Sequence, residues 1–584
     1  MNKNSINKQT YTKMNKKSLF VLGFSAALLA GCSSDNVVPN GGDGDLSGDA
    51  YVSISLHLPT TSGLRATVDP SAGDKYNDDY NIGQEAEYQV NNIRILFFDE
   101  NKQFVDSKTI SAETWNNSSD PGITTERTLP VQRVDPKAAY VLVMLNTPDK
   151  VTIPSSGTFD AFNNKVLVDT SADAFIGGDA KNSFFMTNSP LGVANVIEDN
   201  KGLYDGLVKV NPQRTEDDAK KPDHIANVYV ERAVAKVDIE GAANDVSWSK
   251  DDDNGTYTYT IHSSADIPES REGDQVTFTQ WDLDVTNKKT YAVRKFDIVE
   301  WSKDDYKNGR VVSRFFSNTL YGNKQRTYWA EDPNYSGTNV TLNEATGNVS
   351  KSNDNFYYLT DMTKAQNMMA ADYCLENTFD VKNMKQGETT RIVFKATYKP
   401  HGAEFVQGMT WYLIGNSNTP FTFNALKTAI MNASSTITDV KLFEEGGVFN
   451  IESLKVKHAG DADFVQINDA TEIKNIKDAL GATITTYKDG VCYYVARIQH
   501  FGEDLTKWDG EDYTTGTDVL LHKYLGRYGV VRNNWYRMTL NTVFGPGTPT
   551  IPEIPDTPDD EQNYYLQTTV KIMDWAVRKQ KLDF

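Results

Sequence analysis

Cysteine is nearly absent from this sequence, with three residues in 584. Cys374 and Cys492 are read as buried free thiols, with one bridge between them as the alternative; either way there is no disulfide framework. Histidine is scarce too. Its seven residues form no HExxH pair and no Cys/His ligand spacing, so no zinc chemistry is legible. There is no GxSxG, no phosphate-binding glycine loop and no dinucleotide fingerprint. Acidic pairs are plentiful, but nothing in their spacing selects a glycosidase pair over any other. The sequence offers no case for an enzyme and implies no cofactor.

Basic charge is also in deficit. Lys plus Arg number 59 against 79 Asp plus Glu, a net of −20. That balance argues against nucleic-acid or anionic-membrane binding. What the chain does have is aromatic and β-branched residues, including 29 Tyr and 26 Phe, with few long helical periods. This composition predicts a mainly β protein, and the length predicts two or more domains.

Residues 1–31 read as a targeting segment. Lys13, Lys16 and Lys17 precede the apolar run Ser18–Ala30, which is too short to span a bilayer. Met14 is a second candidate start, because MNKKSLFVLGF is a complete signal by itself. Leu29-Ala30-Gly31-Cys32 resembles the lipobox of bacterial lipoproteins, which makes Cys32 the lipidation site. Residues 32–49, rich in Gly, Asp and Ser, then form a flexible tether.

The next stretch organises the rest. Val52, Ile54, Leu56 and Leu58 alternate with Ser53, Ser55 and His57, the period of a half-buried strand. Pro59 stops it, and a small polar loop leads to Arg65-Ala66, a site open to proteolysis. The plain alternative is an ordinary first strand followed by a surface arginine.

Strands are predicted at 90–98, 127–133 and 139–145, with a short helix near Phe159. Residues 215–223 read as a linker, and 227–239 as a long strand opening a second domain. Further strands are expected at 256–261, 275–284, 290–300, 390–399, 409–414, 488–499 and 528–543. Helices are expected at 423–432 and 470–480, the second with a capping box at Asp469 and Glu472. The run Asp251-Asp252-Asp253-Asn254-Gly255 lacks EF-hand spacing and reads as a hairpin turn rather than a calcium loop. Residues 544–562 are Pro-rich and read as a stiff spacer with no fold of its own. A last strand follows at 563–584. Leu566, Val570 and Ile572 share one parity and Met573, Trp575 and Val577 the other, which implies a bulge or two consecutive strands.

Taken in order, these pieces resemble the Bacteroidales fimbrillins, the type V pilins, and within them the major subunit of the short fimbriae. The similar stretches are LAGC at 29–32, YVSISLHLP…GLRA at 51–66, YVLVMLN at 140–146 and VERAVAKVDI at 230–239. They continue with YCLENTF at 373–379, YGVVRNNWYRMTL at 528–540, the Pro-rich run and TTVKIMDWAVRKQKLDF at 568–584. The resemblance implies two transthyretin-like β-sandwich domains, residues 50–226 and 227–543. It implies a lipoprotein precursor on the cell surface, cut between Arg65 and Ala66 by an Arg-specific, trypsin-like protease. Loss of the N-terminal strand would open a groove for the C-terminal strand of another copy, giving a head-to-tail polymer that works with anchor and tip subunits. A non-polymerising anchor or tip subunit is one alternative. Another is a glycan-binding surface lipoprotein, which would present exposed Trp platforms.

Overall fold

The computed structural model describes residues 50–57, 83–111, 126–168, 170–193, 206–241, 246–296, 316–321, 324–335, 342–343, 345–351, 354–379, 383–501, 525–559, 566–573 and 578–579. The protein is mainly β, with several sheets and a few short helices. None of the described helices is long and apolar enough to cross a membrane.

The first core is built on strands β1 (Ala50–Val52), β2 (Ile54–His57), β3 (Asn92–Phe98), β4 (Phe104–Ser111), β5 (Glu126–Thr128), β6 (Gln132–Val134), β7 (Tyr140–Leu145), β8 (Met186–Asn188) and β9 (Ala226–Arg232). Its main sheet runs β4-β3-β7-β8-β9-β2-β5, and β1 pairs separately with β6. Strands β3 and β7 are apolar on nearly every residue; Ile93 and Ile95 to Phe98 of the one and Val141 to Leu145 of the other fill the core, while Arg94 stays exposed. Phe159, at the head of the expected short helix, packs edge-on against Phe98. The predicted linker at 215–223 holds a helical turn, Glu216–Ala219, capped by the Thr215 hydroxyl. It lies against β1 and buries Ala219, so it belongs to this core.

The expected single strand 227–239 is two strands in two sheets. β9 closes the first sheet; after Ala233, β10 (Val234–Ile239) enters the second. The chain therefore changes core at Ala233 and not before Asn227. Glu231, Arg232 and Lys236 are all buried where the chain passes from one sheet to the other.

The second core is a sandwich of two sheets. Its strands are β11 (Trp248–Asp251), β12 (Thr256–Thr260), β13 (Gln275–Asp284), β14 (Asp372–Leu375), β15 (Arg391–Lys399), β16 (Val491–Arg497), β17 (Trp535–Val543), β18 (Leu566–Met573) and β19 (Arg578–Lys579). One sheet runs β11-β12-β13-β15-β16 and the other β14-β10-β17-β18-β19. Val237, Tyr536, Met538 and Leu540 of the second meet Tyr259, Phe278, Phe394 and Tyr494 of the first. The acidic run at 251–255 is the hairpin turn between β11 and β12, with Asp251 accepting from the Asn254 backbone. The strand expected at 290–300 does not form in its described part; that backbone instead carries Arg294 into the interior.

Between β15 and β16 a lobe at 411–487 has its own core, with helices Phe423–Ala433 and Ala470–Leu480 as the sequence periodicity predicts. The capping box is half made. Asp469 caps the second helix, but the Glu472 carboxylate turns to Thr436 and His458 instead of its own N-cap backbone. Cys374 and Cys492 are buried free thiols.

Candidate assembly site

Residues 50–57 are paired on both sides. β1 runs antiparallel to β6, and Tyr51 exchanges backbone hydrogen bonds with Gln213 at 2.8 Å each way. β2 lies between β9, parallel, and β5, antiparallel; Leu56 stands opposite Val228 on one side and Arg127 on the other. Val52, Ile54 and Leu56 are at most 1% exposed. Ser53 and Ser55 are equally buried, which corrects the half-buried reading: both faces of this strand are covered. The reason lies far away in sequence, in the partners supplied by 126–134 and 213–229. His57, at the exposed end, stacks on Tyr229 at 4.7 Å and bonds Asn227.

A strand so placed is a plug. Burying each of its three large apolar side chains is worth roughly 1.5–3 kcal/mol. Its removal would leave an apolar slot walled by two facing, unpaired strand edges, an open template for another strand. Leu58, Arg65, Ala66 and Cys32 lie outside the described residues.

The terminal strand is seated on its own subunit. β18 runs antiparallel to β17 along its whole length, with Ile572 opposite Tyr536 and Val570 opposite Met538. β19 folds back on β18, pairing Arg578 with Ile572. Ile572 and Met573, of opposite parity, lie in the same strand β18. Trp575 and Val577 lie outside the described residues; Leu566 and Met573 are the ends of β18, opposite Val543 and Trp535.

The Pro-rich run ahead of this strand is not the unpacked spacer expected of it. Ile554 is fully buried with Val285, Val349 and Phe356, and Lys385 holds both carboxylate oxygens of Asp556 at 3.0–3.1 Å. Its proline rings read as isolated only because their docking partners lie elsewhere in the chain.

Between the two cores lies a buried polar seam. Lys236 meets Glu87 at 2.5 Å, and both side chains are 1% exposed. The Tyr373 hydroxyl donates to the same carboxylate at 2.6 Å, and the Lys236 ammonium sits 3.8 Å over the Trp535 ring. Burial acts to raise the Glu87 carboxyl, but Lys236, Tyr373 and Arg232 outweigh it and hold the group below its usual value. Arg294 binds Glu231 through two hydrogen bonds, and Arg532 binds Glu376. Arg232 donates to Asn533 from both its backbone and its guanidinium. Three of the stretches that carried the resemblance, at 230–239, 373–379 and 528–540, therefore converge on this seam. The available signal was charged residues set inside apolar strands, which single out positions but not partners.

Among the described residues no group of three or more His, Cys, Asp or Glu is placed to hold a metal ion. The lobe bears an open concavity of about 390 Å³ lined by Tyr412, Phe423, Phe464 and Lys488, with the ion pairs Lys427–Asp439 and Lys441–Glu444 on its rim. The five described tryptophans, 248, 281, 329, 411 and 535, are buried or half-buried, and none forms an exposed platform.

Two family models match the chain. That of the major fimbrial subunit protein (FimA) matches residues 50–232, from the first residue of β1 to the last of β9. That of the C-terminal part of fimbrillin, major fimbrial subunit protein type IV, matches residues 485–581. No curated protein matches the chain. Among solved structures, a fimbrilin (FimA) from Porphyromonas gingivalis W83 is 13% identical, covers 91% of this chain and 98% of its own, and has a TM-score of 0.38. The tip fimbrial protein Mfa3 from Porphyromonas gingivalis, with a C-terminal truncation, is 13% identical over 90% of this chain and 100% of its own, at a TM-score of 0.29. The fimbrial anchor protein Mfa2 from Porphyromonas gingivalis is 10% identical over 42% of this chain and 61% of its own, at 0.19.

Proposed function

We propose that this chain, a fimbrial subunit of the Bacteroidales type, is the polymerising shaft subunit of a cell-surface fimbria. In this reading the precursor is a lipoprotein held in the outer membrane through Cys32. An Arg-specific, trypsin-like protease cuts between Arg65 and Ala66, residues 51–65 are removed and the slot is vacated, and the terminal strand of a second copy enters it. The contact is heterologous and does not close on itself, so it propagates as a filament. Anchor and tip subunits would bound that filament, and adhesion would follow from its display.

The observation that carries the reading is the two-sided pairing of β2 between β9 and β5, eight residues before Arg65 in the sequence. A second feature supports it. Val52, Ile54, Leu56 and Leu58 recur at every second residue, as do Leu566, Thr568, Val570 and Ile572, so the tail has the period of the plug it would replace. Pairing of the tail with β17 is then the resting state of the free subunit, and exchange trades one seat for another at modest net cost.

The test is electron microscopy of purified protein before and after treatment with a trypsin-like protease. Filaments should form only after treatment, and Arg65→Ala should remain monomeric. Filaments of uncut protein would overturn the reading. A non-lipidated, unprocessed Cys32→Ala precursor is expected from fatty-acid labelling; normal labelling would remove the lipoprotein premise.

A further inference from the structure

From Phe544 to Asp559 the chain is fastened to its own subunit at intervals along its whole length. Tyr494 and Tyr487 donate their hydroxyls to the carbonyls of Gly545 and Gly547 at 2.9 and 3.0 Å. A Cβ on Gly547 would meet the Tyr493 carbonyl oxygen at 2.1 Å, so the backbone lies flat against β16. Thr548 and Tyr493 exchange both backbone hydrogen bonds. Arg391, itself bound to Asp284, donates to the Pro552 carbonyl at 3.0 Å. Ile554 fills its apolar socket, and its carbonyl accepts from Val349 at 2.7 Å. At the far end Gln386 and Asp559 complete a short antiparallel pairing, through Gln386 N–H to Thr557 and Asp559 N–H to Met384. Proline stands at 546, 549, 552, 555 and 558, the three-residue period of an extended polyproline helix, which has little conformational freedom left to lose on docking.

We infer that this strap stays on its own subunit when the terminal strand engages a second copy, so that the exchanging segment begins after Asp559. The inference rests on the strand-exchange reading and sharpens it. The exchanging donor is residues 560–584, and its pivot is the end of a docked strap, not the end of β17. Twenty-five residues in extended form reach about 80 Å, against about 135 Å if the strap peeled away as well. Subunit spacing is thereby limited by the shorter tether. A tail pulled from outside would load the Ile554 socket and the Lys385–Asp556 pair instead of unzipping β17.

A disulfide across the strap tests this. Lys385 and Pro558 stand opposite one another as an isolated antiparallel pair, with the hydrogen bonds made by their neighbours. Pairs of that type have Cα atoms about 4.5 Å apart, within disulfide range. The native Cys374 and Cys492 are buried and do not compete. Lys385→Cys with Pro558→Cys, oxidised and then cut at Arg65, should assemble within about twofold of the same protein reduced. Assembly that falls tenfold or more and returns on reduction would show that the strap must leave, and would overturn the inference. Asn348→Cys with Pro555→Cys provides a second lock at another isolated pair. If neither pair oxidises in the folded protein, the strap is not docked as described and the inference falls. A chain truncated after Gln562 separates the two levels: if it still polymerises, the strand-exchange reading fails whatever the locks do.

Discussion

Lys236 and Glu87 tie the two cores together inside the protein, where an ion left without its partner is costly. Lys236→Met should therefore lower unfolding free energy by about 3–5 kcal/mol, because it strands the Glu87 carboxylate. Adding Glu87→Gln should recover part of that loss, since an amide can still accept from Tyr373; urea unfolding of both variants checks the order. A different residue sets the pH response. The buried Glu388 carboxyl, which accepts from Asn383, is pushed up to about 7 by burial, with Asp556 adding in the same direction. The folded state then holds this proton between about pH 4.5 and 7 while the unfolded chain does not. Stability from this group is present below about pH 4.5 and is lost as pH rises through about 7. Burial raises Asp282 and Asp332 to about 6 with the same sign. Glu388→Gln should accordingly be more stable than the native protein above pH 7, by roughly 2–3 kcal/mol at most, with the gap closing towards pH 4.5. Unfolding at pH 5 and pH 8 measures it; a gap that widens at low pH would refute the assignment.

At the scale of elements, the plug strand makes a prediction that an ordinary core strand would not. Leu56→Asp places an unpaired carboxylate in a fully buried site and should destabilise the precursor by several kcal/mol. Once residues 51–65 have been cut away and replaced, the substitution is gone, so the assembled form should melt as the native assembly does. Thermal melting before and after cleavage reads both. The same strand shows what a sequence can and cannot reveal. The alternation of Val52, Ile54 and Leu56 was legible because one side of a strand repeats every two residues. The burial of Ser53 and Ser55 was not, because the strands that cover them come from about 70 to 170 residues further on. Both lobe helices were legible from their apolar spacing and from Asp469. The docking of the strap was hidden for the opposite reason to the helices: nothing local to 544–559 makes its structure, and Val285, Val349, Lys385 and Tyr493 supply the contacts. The seam was visible only as misplaced charge in 230–239, and its partners Glu87, Arg294 and Asn533 are set by the fold.

For the whole molecule, the docked strap changes what truncation should do. Removal of residues after Gln562 leaves the first core and the strap intact and takes β18 and β19 from the edge of one sheet of the second, so the melting temperature should fall modestly while assembly is lost. A fall as severe as that of a core deletion would place the tail in its own fold and end the donor role. The central claim is that one strand leaves the slot so that another can enter it. Amino-terminal sequencing of purified filaments tests that most directly. Chains that begin at Ala66, with residues 51–65 absent from the filament, are the expected result; filaments whose subunits still contain that strand would contradict strand exchange.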